Sequence, residues 1–443
     1  MKSIRSKTKP NKKVPPKSDI AFQDPLFEKS LNHTKNVQNF KLLFSCLLGN
    51  ALEFYDFTLC GVFITSLSQT FFSSSSDFNS LLGGIFVFSA AFWTRPLGAI
   101  YFGYMGDKWG RKNALAISIM LMGIPSLIIS CLPGYKIIGI IAPITILISR
   151  LLQGFSTGGE YNGAAVFALE HFQVKQGVIS GLISASCVAG ALIAAIVGYT
   201  LSKPGYSSEV WRWAFLGGAF ISFIGYFLRQ YTQDSQKFLA EKKIEKFPLI
   251  YIWQYQRRSF LISIVMGALN GILSYTLFGF LNIYLIRYVG IEENTAFFYN
   301  IFGLLAFLIS CPIFGFIADK TNTFFAMKLS GYLIAIFSWA TFLLLNDSSL
   351  LVFLGQMLFG ILVGSFAGPC HAFLQELFPI KVRYSGIASG FSIGMAITGG
   401  STAFVMLFML NKTNFLLIPA AYICISAIIW LLTLKLFLTK KSK

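Results

Sequence analysis

The feature that most constrains this chain is a succession of long apolar runs, separated by short polar stretches that hold most of its charge. About 20 apolar residues of α-helix are needed to cross a bilayer core. Twelve such runs follow one another, near 42–72, 81–104, 113–132, 137–168, 178–200 and 211–228, and then 259–286, 295–317, 324–345, 349–374, 385–409 and 414–436. Only helices and closed barrels satisfy their backbone inside lipid, and barrel strands are short and alternate in polarity. These runs are long and continuous. The chain is 55% hydrophobic and 12% charged, against about 25% charged in an ordinary soluble domain. A soluble enzyme and a disordered chain are both excluded. The expected fold is an all-α integral membrane protein, with twelve transmembrane helices in two six-helix halves.

The charge is lopsided, with a formal net of +18. Because the basic residues sit between apolar runs, they read as topology signals and not as a nucleic-acid surface. The tail 1–40 is basic (Lys2, Arg5, Lys7, Lys9, Lys12, Lys13, Lys17) and lacks the apolar core of a cleaved secretory signal. If that tail is cytoplasmic, the basic loops fall on the same side, and only Lys136, Lys203, Arg212, Arg287 and Lys412 fall opposite. The predicted plan is a cytoplasmic tail 1–40, a first half 41–228, a basic cytoplasmic linker 229–258, a second half 259–436 and a short cytoplasmic tail 437–443. Both termini are expected in the cytoplasm of a cell whose inner (plasma) membrane holds the protein. The basic tail can meet anionic lipid there.

The seven cysteines lie inside apolar runs without paired spacing, so neither disulfides nor a metal site is predicted. No Gly-Lys dipeptide marks a phosphate-binding loop, and no nucleophile elbow or HExxH sequence occurs. No cofactor, no ATP and no enzymatic activity are expected.

The two halves echo each other. Gly103-x-x-x-Asp107-Lys108 returns as Gly315-x-x-x-Asp319-Lys320, 212 residues later. Arg150-Leu-Leu-Gln153-Gly154 is echoed by Gln356-Met-Leu-Phe359-Gly360, and Glu170 by Glu376, both at an offset of 206. A duplicated six-helix unit is characteristic of secondary transporters that bind substrate between the halves. The stretch Gly103-Tyr-Met-Gly-Asp107-Lys108-Trp-Gly110-Arg111-Lys112 resembles the loop 2–3 motif of the major facilitator superfamily. Gly49-Asn50-Ala51-Leu52-Glu53-Phe54-Tyr55-Asp56-Phe57, Arg150 to Tyr161, and Leu377 to Ser385 are similar to its metabolite:proton symporter branch, which includes proline/betaine transporters. The resemblance implies alternating access and proton-driven uptake of a small zwitterion or carboxylate. Two departures stand out. The second-half loop Asp319-Lys320-Thr321-Asn322-Thr323 lacks the Gly-Arg ending, which implies an asymmetric inner gate. The tail after Leu436 is short, so control through a coiled-coil tail is not expected.

Ionisable groups at mid-bilayer are costly and call for a reason. At about 1.5 Å per residue, Glu53, Asp56, Arg95 and Arg150 all fall close to the middle of the core. In one reading the arginines neutralise the acids and lock four helices together. In the other, an arginine holds one acid while the second exchanges a proton, burial favouring the neutral acid and a guanidinium favouring the carboxylate. Glu53 and Asp56, three apart, share one side of their helix and are expected to address the cavity. Glu160 reads as a second proton relay or an inner-gate acid. Arg95 or Arg150 would hold a substrate carboxylate, with Asn50, Tyr55 and Tyr275 as further binding residues. Gly103, Asp107, Gly110, Arg111 and Lys112 read as a gate, with Glu170 bridging to that loop. Phe54, Phe57, Phe278 and Tyr284 add aromatic faces suited to an onium group. His371 is expected to be hydrogen-bonded at a helix interface. The predicted function is proton-coupled symport of a small zwitterionic or carboxylate metabolite by a monomer in the lipid bilayer. Uptake of di- or tricarboxylates such as citrate or 2-oxoglutarate, and efflux by proton antiport, use the same architecture; a non-transporting receptor is a remote alternative.

Overall fold

The computed structural model of the protein describes residues 25–72, 77–201, 207, 209–241, 247–346 and 349–438. The basic residues of the first 24 positions, together with Lys203, Lys242, Lys243 and Lys246, lie outside the described residues.

The first half is built from α1 (Pro25–Val62), α2 (Ile64–Phe71), α3 (Asp77–Trp109), α4 (Arg111–Cys131), α5 (Tyr135–Ile138), α6 (Ile141–His171), α7 (Gln176–Leu201) and α8 (Trp211–Gln230). Two short helices come next, α9 (Gln236–Ala240) and α10 (Pro248–Tyr255). The second half contains α11 (Arg257–Tyr275), α12 (Leu281–Tyr284), α13 (Glu293–Lys320), α14 (Thr323–Leu344), α15 (Ser349–Leu377), α16 (Arg383–Thr413) and α17 (Ile418–Leu438). All described regular structure is helical. Among the described residues, ten helical segments are both long and apolar enough to cross a membrane. Two more, α3 at 33 residues and α6 at 31, are long enough and carry Arg95 in one and Arg150, Gln153 and Glu160 in the other.

Several boundaries differ from the sequence reading. The run 42–72 is not one helix: it breaks at Phe63 between α1 and α2. The run 259–286 is one rod from Arg257 to Val289, but π-helical turns at Thr276–Phe280 and Leu285–Val289 interrupt it. Each π turn rotates the facing of the residues beyond it, a device common at functional sites. The first begins directly after Tyr275. In α3, Pro96 directly follows Arg95 and cannot donate a helical hydrogen bond, which releases the carbonyl of Phe92. The basic stretch 229–258 is also not all linker. Arg229 belongs to the last turn of α8 and is 1% exposed.

The halves meet along α3 against α16 and along α7 against α13 and α15. At the second crossing Gly177 and Gly315 face each other so closely that a Cβ on either would run into the other's carbonyl. A side chain at either position would drive the helices apart.

Candidate functional site

Where α1, α3, α6, α11 and α16 converge, a small cavity is lined by Glu53, Arg95, Tyr161, Asn162 and Tyr275 among others. Arg95 donates from Nη1 to the Tyr275 hydroxyl at 3.1 Å, joining the two halves. Its guanidinium also lies 4.7 Å from the Phe57 ring centroid and 4.9 Å from that of Phe92. Flat aromatic faces hold the planar fork in a fixed orientation. Glu53 is 2% exposed, and its Oε2 has no hydrogen-bond partner among the described residues. No ion pair joins it to Arg95 among them. An acid and a permanent cation therefore share one chamber without neutralising each other by contact.

The second acid is turned elsewhere. Asp56 accepts a hydrogen bond from Ser126 on α4, Ser126 accepts from Gln153 Nε2 at 2.8 Å, and Arg150 Nη1 donates to Gln153 Oε1 at 2.7 Å. Asp56 and Arg150 are thus linked through two intermediate side chains inside the first half, and neither lines the cavity. The expectation that both acids address the cavity is corrected by geometry. Three residues along a helix turn it by about 300°, which leaves Asp56 some 60° from Glu53. That rotation points it at α4 and at Gly218 of α8, where a side chain would strike its Oδ1. Tyr55 also leaves the expected binding group. It is two residues from Glu53, on the opposite face, and donates to the Ala214 carbonyl at 3.1 Å. Asn50 is fully buried, neither amide atom has a hydrogen-bond partner among the described residues, and it does not line the cavity.

Glu160 forms a buried ion pair with Arg229 across α6 and α8, with a second contact from Nη1 at 2.8 Å. Ser118 adds a hydrogen bond of 2.5 Å to the same carboxylate. Gly49 of α1 lies against this pair, where any Cβ would meet Arg229 and Glu160 atoms. Sequence reading placed Arg229 in the linker and so missed the partner. The signal was present: an acid deep in one span and an arginine at the end of another.

The Gly103–Lys112 motif assembles a second polar site at one end of the bundle. Asp107 accepts from the backbone N–H groups of Tyr384 (3.2 Å) and Ser385 (2.8 Å), in the first turn of α16. Its carboxylate meets the positive end of that helix across the two halves. Arg111 pairs with Asp107 at 2.6 Å and Glu170 at 3.1 Å, and donates to the Ile380 carbonyl at 2.8 Å. Arg383 reaches Glu170 at 3.4 Å. Gly103 allows the close approach, since a Cβ there would lie 2.7 Å from Ser385 Cα. Gly110 has φ 114°, a left-handed conformation that favours glycine, and leads into α4. Lys112 donates its N–H to Asp234 at 2.9 Å. Burial raises the Asp234 carboxyl above its ordinary value, opposed by that N–H and by Arg111.

The repeat builds the same device in reverse. Asp319 accepts from the N–H groups of Gly177 (2.7 Å) and Val178 (2.9 Å), in the first turn of α7. Each half caps a helix of the other. The asymmetry visible in the motif is also visible in the contacts. Where Arg111 pairs with Glu170, the second half has only Thr323 donating to Glu376 at 2.8 Å.

His371 Nε2 donates to Asn162 Oδ1 at 3.2 Å, and its ring packs edge-on against Tyr161. It joins α15 to α6 behind the cavity wall. No group of three or more His, Cys, Asp or Glu side chains suited to a metal occurs among the described residues.

Comparison with known proteins places this geometry. The family model for the Major Facilitator Superfamily matches residues 46–404. The glycine betaine/proline/ectoine/pipecolic acid transporter of Dickeya dadantii is 29% identical over 411 residues, covering 89% of this chain and 82% of that one. The proline/betaine transporter of Escherichia coli K12 is 28% identical with the same coverage. Among solved structures, a double tryptophan mutant of XylE superposes with a TM-score of 0.72 at 17% identity, covering 91% of this chain and 95% of that chain. The proton:xylose symporter XylE with a bound sugar analogue gives 0.68 at 15% identity, covering 92% and 96%. At those identities the likeness concerns the fold. The chain belongs to the major facilitator superfamily, and is a multi-pass membrane transporter resembling the proline/betaine transporters.

Proposed function

We propose that the protein is a proton-coupled symporter of a small zwitterionic solute of the proline or betaine type, working by alternating access in the cell (inner) membrane with both termini cytoplasmic. The observation that supports this reading is the cavity that Glu53 and Arg95 both line without pairing to each other. Arg95 holds the carboxylate through its rigid fork, oriented by Phe57, Phe92 and Tyr275. Glu53 carries the proton when the cavity is empty and faces the cationic end of the solute when it is filled. Arg95 is the one arginine among the described lining residues, which suits a monocarboxylate better than citrate or another polycarboxylate. Asp56, Ser126, Gln153 and Arg150 form a hydrogen-bonded string behind the site; it fixes α1, α4 and α6 and offers Asp56 as a second protonation site. The Asp107 and Asp319 caps close the cytoplasmic end, and rocking of the halves breaks and remakes them. The transporter acts as a monomer, needs no cofactor and catalyses no covalent reaction.

The test is uptake of labelled proline and glycine betaine into proteoliposomes under an imposed pH gradient. Accumulation above equilibrium, abolished by a protonophore and by Glu53→Gln, is the expected result. Uptake indifferent to the gradient would remove the proton from the mechanism.

A further inference from the structure

Beyond the first cavity lies a second small one. The two share Phe54, Tyr161 and Met395, which form the partition between them. None of the described residues lining the second chamber is charged. Its walls are the rings of Phe54, Phe278 and Phe307 together with Asn270, Ser274 and Ser184. Ser184 is engaged: its hydroxyl donates to the Ala367 carbonyl at 2.9 Å and lies 3.3 Å from that of Tyr161. Asn270 and Ser274 are not. They stand four residues apart on α11, so they share a face, and they are 4% and 6% exposed. Neither makes a side-chain hydrogen bond to any described residue. Buried amides and hydroxyls are seldom left without partners. Here both line a space whose other walls include the rings of Phe54, Phe278 and Phe307.

We propose that this second chamber is a subsite for the distal end of a zwitterionic solute, and that it selects an end bearing a hydroxyl or N–H. This rests on the function proposed above, with the carboxylate at Arg95 in the first chamber. The aromatic rings take the apolar ring or chain of the solute, and Asn270 and Ser274 take the polar substituent. A solute lacking that substituent leaves both groups unpaired, so a ring-hydroxylated imino acid is preferred over the plain one.

The full-length protein carries its own reporter, because Cys187 lines the same chamber. In proteoliposomes, uptake of proline and of trans-4-hydroxyproline is compared under a pH gradient for the native protein, Asn270→Leu and Ser274→Ala. Modification of Cys187 by methyl methanethiosulfonate is followed in parallel, peptide by peptide, with each solute as protectant. The hydroxylated solute is expected to half-saturate uptake and to protect Cys187 at a concentration about 3- to 10-fold lower than proline, the value of one hydrogen bond. In each variant that ratio is expected to fall to about 1. If Asn270→Leu does not fold, Ser274→Ala decides. Uptake of both solutes without protection of Cys187, or with the ratio unchanged in the variants, overturns the subsite and leaves the symport reading standing. That is also the result if the chamber holds water alone. Absence of uptake and of protection with either solute overturns both.

Discussion

At the scale of single residues, the proposed transport depends on where four buried charges point. Counting along the apolar runs sets them near one level, because the rise of a helix is fixed. Their facing was not legible in this way. Glu53 and Asp56 sit on one side of α1, yet only Glu53 lines the cavity, because α4 and α8 take the Asp56 side. No single sequence states which neighbour covers which face. Arg95 was legible as a charge; its seat between Phe57, Phe92 and Tyr275 was not, because the last comes from the other half. The role of that seat can be measured. Arg95→Lys keeps the charge and loses the planar fork, so the KM for solute should rise about 10- to 100-fold, the worth of a charge-assisted hydrogen bond. An unchanged KM would remove Arg95 from the binding site. Arg229 offers a second test. Removing one member of a buried ion pair costs about 3–5 kcal/mol, whereas replacing both by apolar groups of similar size costs far less. Arg229→Met should therefore lower the unfolding temperature in detergent substantially, and Glu160→Met combined with it should restore most of the loss. If the double variant is no better than the single one, Glu160 has work beyond the pair.

At the scale of elements, each half uses an aspartate in the last turn of its second spanning helix to cap the fifth spanning helix of the other. The repeat that builds this was readable from Gly103-x-x-x-Asp107 and Gly315-x-x-x-Asp319. The receiving groups, the N–H donors of Tyr384, Ser385, Gly177 and Val178, carried no sequence signal, since any residue in a first helical turn presents a free N–H. The π turns after Tyr275 were equally hidden, because apolarity is the same in either helical form. Asp107 holds a helix terminus and anchors Arg111 as well, whereas Asp319 has no arginine beside it in the corresponding place. Asp107→Ala should thus open this end more than Asp319→Ala does. The measurement is labelling of a cysteine introduced at Ser389, which is buried on α16 below the cap. Faster labelling in Asp107→Ala than in Asp319→Ala is expected; equal rates would mean that the two caps contribute alike. Gly103→Val should hold this end open, because its side chain would occupy the space of Ser385.

At the scale of the whole molecule, the structure has this end closed by two reciprocal caps, with a chamber near mid-depth that holds an acid and a guanidinium apart. The proposed symport requires that solute and proton together change which end is closed, since a ligand shifts such an equilibrium only by its different affinity for the two states. The most direct measurement is of the proton itself. Purified protein is reconstituted into vesicles loaded with a pH-sensitive dye, without a gradient, and proline or glycine betaine is added outside. Symport through Glu53 predicts that solute drives protons inward, acidifying the lumen, and that Glu53→Gln abolishes the signal. Solute entry with no change in luminal pH would contradict it.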